Sequence, residues 1–481
     1  MLGWAMIWLP LCAAFLVVAA APPGALAAPL TVPQRATILE TLRQAPEPPS
    51  ATQGPVASDD LEAELLAHAR REAGRISDPT QINRLWALDP ARRDIAAEWA
   101  AAQAQGAAEA WIAGLSPQDP RYQRLAAARR DYAARVATGG WLATPTGAAL
   151  RPGDVGPQIE ALRARLAAEG FATPAPDPDA AVPGPPEARS PAVYDAPLEA
   201  VVRRFQSLRG LEADGVVGPA TYAALNVSAQ ARLSQIDANL ERWRWLPRPL
   251  PATRIEADVG AARATLFVDG VPTLDMRIIV GAPSTKTPMF ASQIETVVFN
   301  PPWNVPASIA NGEILPRAAR DPGYLARNNF IFRDGRLQQQ PGPTNSLGQV
   351  KLDMPSPFGV YLHDTPGRAA FERLTRTLSH GCMRLEKPRE LAALLLASQG
   401  WTREAVDAAI LQGETRRVDL EQPVPVFVVY NTALVDADGL HLLPDPYGWD
   451  AQLIAALERQ TLAQLDRDMA PPQSECASAA D

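Results

Sequence analysis

Lysine, histidine and cysteine are all scarce in this chain of 481 residues. Only three of its 45 basic residues are lysines, and the basic residues form no continuous run. The formal net charge is −8. Because proteins that bind nucleic acid through its phosphates carry a basic face or a basic run, we expect no nucleic-acid partner.

The three cysteines are too few for a disulfide framework. Cys12 lies in an apolar N-terminal segment, and Cys476 lies in a polar tail, residues 471–481, that we expect to be disordered. Cys382 instead lies in an ordered motif beside a histidine. The sequence therefore favours a free Cys382 thiol over a disulfide between Cys382 and Cys476.

The N-terminus has no charged residue between positions 2 and 21 and contains an apolar block there. Pro22-Pro23-Gly24 ends any helix, and Ala25-Leu26-Ala27 has the small-x-small pattern of a cleavage site. We predict a signal peptide over residues 1–28 and export of the remaining chain. An uncleaved inner-membrane anchor is the alternative, because about 20 apolar residues can span a bilayer.

The composition is that of a globular protein, with 47% hydrophobic and 20% charged residues. This balance excludes wholesale disorder, collagen-like repeats and a coiled coil. The chain has 48 prolines, and two stretches are dense in them: 44–57 with four and 172–191 with seven. Such stretches are typical of linkers or surface insertions.

A helical pattern runs from about residue 58 to 140. Ser58 is a candidate N-cap, and Leu61, Leu65 and Ala69 recur every four residues. We predict a helical scaffold over residues 29–150 that is completed by a returning helix within 227–251.

Residues 151–226 predict a three-helix unit with the proline-rich insertion 172–191 inside it. Asp214-Gly215 predicts a turn with positive φ, and Pro219 suits the first position of the last helix. The unit resembles the peptidoglycan-binding domain of type 1, a module of cell-wall enzymes. A packing unit that no longer binds anything is the alternative.

From Arg254 onward the pattern changes to strands. The Asp269-Gly270 turn joins two of them, 264–268 and 274–280, into a hairpin, and further strands are predicted at 296–299, 350–352, 359–362 and 424–430. We predict a mostly antiparallel β domain over 252–432, followed by a hairpin and a helix over 433–470. The fold class is therefore α+β.

The stretch from about 302 to 343 shows few periodic runs and many prolines. Long irregular segments inside a compact domain are usually functional. We predict a lid here, with a decorative insertion as the alternative.

A short motif concentrates the reactive side chains: Ser379-His380-Gly381-Cys382-Met383-Arg384, with His363 19 residues before the cysteine. Strand alternation places Tyr361 and His363 on one face. Gly381 lets the backbone turn sharply next to Cys382. The cysteine is therefore expected on a tight connection and not within a core stripe.

These residue types suit acyl transfer. A free thiol has a pKa near ~8.5, and a nearby imidazole can lower that pKa and accept the proton. Backbone N–H groups around Gly381 and Cys382 can hold a tetrahedral oxyanion. A metal site made of His363, His380 and Cys382 is the alternative, although it is one ligand short of a closed zinc site.

The motif resembles the L,D-transpeptidase (YkuD) catalytic domain, whose pattern is an upstream histidine followed by [ST]HGC-hydrophobic-R. The runs at 300–306, 342–348 and 361–366 resemble the large periplasmic subgroup. Members of that subgroup combine a helical scaffold, a peptidoglycan-binding module and a lidded catalytic domain.

The resemblance implies a role for each residue of the site. Cys382 is the nucleophile, His363 is the general base and acid, and the carbonyl of Asp364 orients the imidazole. Ser379 is expected to form local hydrogen bonds, and a buried, satisfied histidine is the alternative for His380. Arg384 either meets a substrate carboxylate, braces the site, or pairs with a structural carboxylate. The residues that line the site are Tyr361, Asp364, Ser379, His380, Gly381 and Arg384.

The implied activity is L,D-transpeptidation in the periplasm, in which tetrapeptide stems become joined by 3→3 cross-links without a metal or organic cofactor. The partners are stem peptides, glycan and other cell-wall synthesis proteins. The same acyl-enzyme can instead be resolved by water, by a D-amino acid or by a lipoprotein lysine. A catalytically silent peptidoglycan-binding scaffold is an alternative of a different class.

Overall fold

The computed structural model describes residues 30–44, 58–73, 78–90, 93–144, 146–172 and 192–469. The predicted signal peptide, most of the proline-rich insertion and the tail with Cys476 lie outside the described residues. Within these ranges, no helix combines the length and apolar character needed to cross a membrane.

Helices occupy mainly the first half of the described chain and its C-terminal end. Their bounds are α1 Val32–Gln44, α2 Ser58–Glu72, α3 Pro79–Ile82, α4 Ile95–Ala104, α5 Ala108–Ala113, α6 Pro120–Ala137, α7 Pro157–Ala168, α8 Ala196–Leu208, α9 Pro219–Leu225, α10 Ala229–Arg244, α11 Ala307–Ile309, α12 Leu315–Arg320, α13 Tyr324–Arg327, α14 Pro388–Leu395, α15 Arg403–Leu411 and α16 Trp449–Met469.

Strands lie mainly in the second half. Their bounds are β1 Trp86–Ala87, β2 Arg254–Asp258, β3 Arg263–Val268, β4 Val271–Gly281, β5 Met289–Phe299, β6 Trp303–Asn304, β7 Phe330–Arg333, β8 Arg336–Gln339, β9 Val350–Asp353, β10 Leu362–His363, β11 Thr377–Ser379, β12 Met383–Leu385, β13 Arg416–Val429, β14 Ala433–Val435 and β15 Leu440–Leu442.

The chain divides into two compact units, and the predicted helical scaffold, residues 29–150, is split between them. The smaller unit comprises residues 1–69 and 92–115, and the larger comprises 70–91 and 116–481. In the smaller unit the rings of Trp99 and Trp111 lie 5.3 Å apart, and Trp99 donates a 2.6 Å hydrogen bond to Glu62. In the larger unit β1 joins the main sheet beside β5.

The main sheet closes on itself. Eight strands follow one another in the order β5, β13, β2, β3, β4, β12, β10 and β9, and β9 pairs again with β5. Among these ladders only β13–β2 and β10–β12 are parallel. The Asp269-Gly270 turn between β3 and β4 has positive φ at both residues, as a tight hairpin requires. The predicted mostly antiparallel α+β fold is confirmed.

Two predicted strands have different bounds in the structure. The strand predicted at 359–362 begins only at Leu362 and extends to His363. Before Leu362, the N–H of Tyr361 faces the Cys382 thiol and not a neighbouring strand. The strand predicted at 424–430 extends back to Arg416. Its ladder with β5 is irregular between Asp419 and Val424, and this irregularity accommodates Pro423, which has no N–H to donate.

The three-helix unit consists of α7, α8 and α9 around a shared apolar core. Gly215 has φ +74°, and Pro219 is the first residue of α9, as predicted. The buried Glu169 carboxylate, which follows α7, accepts hydrogen bonds from Arg165 and Arg209 and from Tyr132 of α6. This buried network joins the module to a scaffold helix of the same compact unit.

The expectation of little regular structure at 302–343 is wrong. The segment contains a three-stranded sheet in the order β6-β8-β7, the helices α11 to α13, and a π-helical turn over Ala310–Ile314. It has its own apolar cluster, which includes Val305, Phe330 and Leu337. Elements this short show no periodicity in the sequence, because a helical or strand pattern needs several repeats to be visible.

Candidate active site

Cys382 lies on the tight connection between β11 and β12, where the sequence places it. Gly381 has φ +114°, a backbone conformation that side-chain-bearing residues rarely adopt. Strand β12 lies between β4 and β10, and α14 begins at Pro388 shortly after it. The strand that follows the connection is therefore held on both edges by the closed main sheet, which we call the barrel.

The connection is also held from behind by the loop between β4 and β5. Thr285 donates its hydroxyl hydrogen to the carbonyl of Ser379 at 2.8 Å, and Thr287 donates to the carbonyl of Gly381 at 2.8 Å. Thr287 is fully buried and also accepts the N–H of Gly281 at 2.9 Å. Sequence reasoning missed both threonines, since they lie far from the motif in the chain and belong to no motif of their own.

Ser379 forms the local hydrogen bonds that were predicted for it. Its hydroxyl donates to the carbonyl of Cys382 at 2.6 Å and accepts the N–H of Gly381 at 3.1 Å. The Gly381 N–H is therefore already engaged and is not a free donor for an oxyanion. The Cys382 N–H forms no hydrogen bond to any of the described residues and is the free donor at this point.

His363 is the last residue of β10 and is only 5% exposed. Its Nδ1 lies 2.5 Å from the carbonyl oxygen of Asp364. Since a carbonyl oxygen only accepts hydrogen bonds, Nδ1 carries the proton in the neutral ring, and Nε2 carries the lone pair. The contact between the imidazole and the Asp364 carbonyl is the one that the resemblance implied.

The surroundings of His363 keep its imidazole neutral. Burial lowers the pKa of His363 to about 3, and the positive charge of Arg384 acts in the same direction. The backbone carbonyls of Asp364 and Leu347 favour the protonated ring and raise the pKa of His363, but they offset only part of this lowering. A neutral imidazole can accept a proton, which is what a general base needs.

The Asp364 carboxylate fixes the loop that carries Leu347. It accepts the N–H of Gln349 at 2.9 Å. Gly348 has φ +63°, and a Cβ there would lie 2.4 Å from Cγ of Asp364. A glycine is therefore required at 348 both by its conformation and by the close approach of Asp364.

Tyr361 neighbours both residues that are predicted to react. Its ring centroid is 5.6 Å from that of His363. Its carbonyl accepts the N–H of Met383 at 3.1 Å, which places Tyr361 directly beside Cys382. Burial raises the pKa of the Cys382 thiol, and hydrogen bonds from the N–H and hydroxyl of Tyr361 oppose that rise. The Cys382 Sγ also lies 4.0 Å from the carbonyl oxygen of Gly359.

These two pKa shifts describe the resting site. The raised pKa of Cys382 and the lowered pKa of His363 both favour a neutral thiol beside a neutral imidazole. A preformed thiolate–imidazolium pair is disfavoured. The arrangement therefore suits proton transfer during the attack on a carbonyl and not before it.

Arg384 pairs with His363 in the register of β12 and β10. Burial lowers the pKa of its guanidinium. Its Nε is buried without a hydrogen-bond partner, and its side chain forms no ion pair or hydrogen bond with any described residue. The alternative of a structural carboxylate partner therefore finds no such partner in the described part of the chain.

The alternative of a buried, satisfied His380 is wrong. The His380 side chain is 45% exposed, and its Nε2 lies 2.5 Å from Oε1 of Glu313. Glu313 belongs to the π-helical turn within 302–343. The residue two positions before Cys382 is thus in direct contact with the segment that the sequence predicts to be a lid.

The side chains of the alternative metal site do not converge. Among the described residues, the group whose ligand atoms lie within 4.8 Å of one another is Asp436, Asp438 and His441, at the β14–β15 hairpin. Two of these three are exposed, and His441 Nε2 already contacts Asp436 at 2.9 Å.

One more residue near the site was missed. Lys351 of β9 places its Nζ 4.4 Å from the centroid of the Tyr361 ring. The scarcity of lysine was a signal that could have drawn attention to Lys351, because the only other lysines in the sequence are Lys286 and Lys387.

The site thus contains a cysteine thiol, a neutral buried histidine and a free N–H donor, all carried by the closed β domain. Residues 252–424 match the family described as "L,D-transpeptidase catalytic domain" (YkuD). Residues 155–225 match the family described as "Putative peptidoglycan binding domain". The chain therefore contains a YkuD-family catalytic domain and a domain of the peptidoglycan-binding type.

A curated relative from Haemophilus influenzae, named "Putative L,D-transpeptidase", is 34% identical over 220 residues, which are 41% of this chain and 45% of the relative. The chain thus matches less than half the length of that relative. Among solved structures, the chain is similar to an L,D-transpeptidase from Mycobacterium smegmatis. The two are 18% identical, the match covers 37% of this chain and 58% of that chain, and the TM-score is 0.20. Another is from Xylanimonas cellulosilytica (17% identity, 59% of this chain, 98% of that chain, TM-score 0.18). At these TM-scores, neither similarity supports a conclusion about this chain.

Proposed function

We propose that this protein is an L,D-transpeptidase that cross-links peptidoglycan stems through an acyl-enzyme on Cys382. The observation that carries the proposal is the position of Tyr361, which hydrogen-bonds to the Cys382 thiol and whose ring centroid lies 5.6 Å from that of His363, with the two rings tilted by 60°. Tyr361 is thereby a common neighbour of the proposed nucleophile and of a histidine that is neutral and able to accept a proton.

In the acylation step, Sγ of Cys382 attacks the carbonyl carbon at the L-centre of position three of a tetrapeptide stem. The thiol proton passes to Nε2 of His363, while Nδ1 keeps its hydrogen bond to Asp364. The Cys382 N–H faces the oxyanion that forms. The C–N bond to D-alanine then breaks, His363 gives its proton to the departing amine, and a thioester remains.

In the second step the side-chain amine of a neighbouring stem attacks the thioester. A C–N bond forms, the C–S bond breaks, and the proton lost by the amine returns through His363 to the cysteine. The product is a 3→3 cross-link. Water, a D-amino acid or a lipoprotein lysine can enter at the same point, and each gives a different product.

Two features support the binding of an anionic peptide. Arg384 has a buried guanidinium edge without a partner, next to His363 in the sheet. The lid, residues 302–343, reaches the catalytic motif through the contact of Glu313 with His380. Arg384 would bind a carboxylate of the stem, and the lid would close over the bound peptide.

The domain at 155–225 supports glycan or stem binding next to the catalytic domain, with other cell-wall synthesis proteins as further partners. A peptidoglycan substrate requires an enzyme that acts outside the cytoplasm, and the periplasm is the compartment that we propose. A cleaved signal peptide or an inner-membrane anchor at 1–28 would each deliver it there.

The test is product analysis of the purified protein with disaccharide tetrapeptide stems, with Cys382→Ala as the control. A cross-linked dimer and released D-alanine from the wild type only are expected. Tripeptide alone would identify a carboxypeptidase, and incorporated D-amino acid would identify exchange. No product from folded wild-type protein would favour the silent scaffold and overturn the proposal.

A further inference from the structure

Lys351 occupies a fixed position beside the site. It lies opposite His363 in the antiparallel ladder of β9 and β10. Its Nζ is 2.5 Å from Oδ1 of Asp353 and 4.4 Å from the centroid of the Tyr361 ring. Both Lys351 and Asp353 side chains are 24% exposed, so the ammonium group is partly withdrawn from water.

This arrangement differs from that of the other two lysines. Lys286 donates to the carbonyl of Tyr447 and Lys387 to the carbonyl of Asp275, both at 2.8 Å. Lys351 is instead paired with a carboxylate, and Asp353 is shared with Arg417 at 2.9 Å. The charge of Asp353 is thus divided between two cations, which leaves Lys351 incompletely neutralised.

We propose that Lys351 is a positioning residue for acyl transfer: its ammonium group, held between Asp353 and the Tyr361 ring, favours negative charge on Cys382 sulfur during the attack. This inference rests on the proposed function for its meaning in catalysis, but the effect on the thiol is measurable without it. Arg384 provides a second positive charge on the other side of β10.

The physical reason is the charge change at the site. The resting thiol is neutral, and the attack makes the sulfur and then the substrate oxygen negative. A cation nearby stabilises that negative charge and disfavours a second positive charge. Accordingly, Lys351 lowers the pKa of Cys382 and that of His363. A less basic His363 also returns its proton more readily to the leaving amine.

The titratable and charged groups around Cys382 and Lys351 come from several neighbouring elements. They are Tyr361 and His363 from the β10 segment, Lys351 and Asp353 from β9, Arg384 from β12, and Glu313 of the lid through His380. Changing Lys351 or Asp353 alters one charge and leaves the others in place.

The experiment measures the rate of Cys382 alkylation by iodoacetamide against pH in the full-length protein, with the modified peptide quantified by mass spectrometry. Lys351→Met is expected to raise the midpoint pH by roughly 0.5–1 unit, and Lys351→Arg to restore it. Asp353→Asn should lower the midpoint, because it removes the counter-charge. Lys387→Met, which removes a lysine outside the site, is the matched control.

The opposite directions separate a charge effect from structural damage. Unfolding or loosening would shift Lys351→Met and Asp353→Asn alike, and this result would overturn the inference. An unchanged midpoint in Lys351→Met would also overturn it. If Lys351→Met fails to fold, the downward shift in Asp353→Asn decides the question.

The same variants separate this inference from the proposed function. Acyl-enzyme formation from a tetrapeptide stem should be slowed about 3- to 10-fold in Lys351→Met, as expected for a pKa shift of that size. If the wild type forms no acyl-enzyme but the alkylation midpoints shift as stated, the proposed function fails and the role of Lys351 at the thiol stands.

Discussion

His363 donates its Nδ1 hydrogen to the carbonyl of Asp364, the residue that directly follows it, over 2.5 Å. The backbone that positions the imidazole therefore also fixes which nitrogen is free. Asp364 itself is held by two further hydrogen bonds, because its N–H donates to the carbonyl of Val350 and its carboxylate accepts the N–H of Gln349. The end of β10 thus holds the imidazole of the proposed base in one orientation.

The buried neutral His363 makes stability depend on pH. In the folded state the pKa of His363 is about 3, against an ordinary value of 6.5. As the pH falls from 6.5 towards 3, the unfolded chain binds a proton that the native site does not, so the free energy of unfolding decreases. Between pH 7 and pH 4 this costs about 3 kcal/mol.

Urea unfolding of the wild type and of His363→Gln at both pH values checks this prediction. The variant should lose less stability on acidification than the wild type by roughly that amount. An equal loss in both proteins would mean that His363 is protonated in the native state near its ordinary pKa.

The two histidines near Cys382 should differ in their effect on rate. His363→Ala removes the proposed base, and such losses typically lower the rate by ~10²–10⁴. His380→Ala removes only the contact with Glu313 and should have a much smaller effect. Stopped-flow rates of acyl-enzyme formation decide the ranking, and equal, mild losses in both variants would contradict it.

The lid should become more ordered on acylation. Backbone hydrogen exchange within 302–343 is expected to slow when the acyl-enzyme forms, because the segment then packs over the bound acyl group. Glu313→Gln weakens the charged contact with His380 and should reduce this protection. Unchanged exchange throughout the segment would argue against a lid.

Thr287 should matter for both stability and rate. Thr287→Val leaves the Gly281 N–H and the Gly381 carbonyl without their partner, and each buried unsatisfied group costs about 1–3 kcal/mol. Chemical denaturation and acylation rates measure the two effects. Thr273→Val, at an exposed position, is the control and should change neither. Normal stability and rate in Thr287→Val would show that the loop does not hold the catalytic connection.

Local sequence signals predicted the parts of the site that are close in sequence. The turn at Gly381 and the shared face of Tyr361 and His363 each follow from one or two neighbouring residues. The hairpin at Asp269-Gly270 is of the same kind.

The parts that depend on closure of the barrel could not be predicted from the sequence. Thr287 and Lys351 reach the site because β4 and β9 flank the strands of the motif, and no local pattern reveals that register. The sequence predicted that Ser379 forms local hydrogen bonds, but not that it engages the Gly381 N–H, because that depends on its side-chain rotamer. The lid elements were too short to show a period.

The central claim is that Cys382 forms the acyl-enzyme, and the most direct measurement is the intact mass of the protein after incubation with a carbapenem. The family resemblance implies a stable adduct with this drug class and little with a plain penicillin. The strained β-lactam carbonyl provides the same acyl centre as the stem peptide. The account predicts a mass gain of one drug molecule in the wild type, located on Cys382, and none in Cys382→Ala. An unmodified wild-type mass in folded protein, or an equal gain in Cys382→Ala, would contradict it.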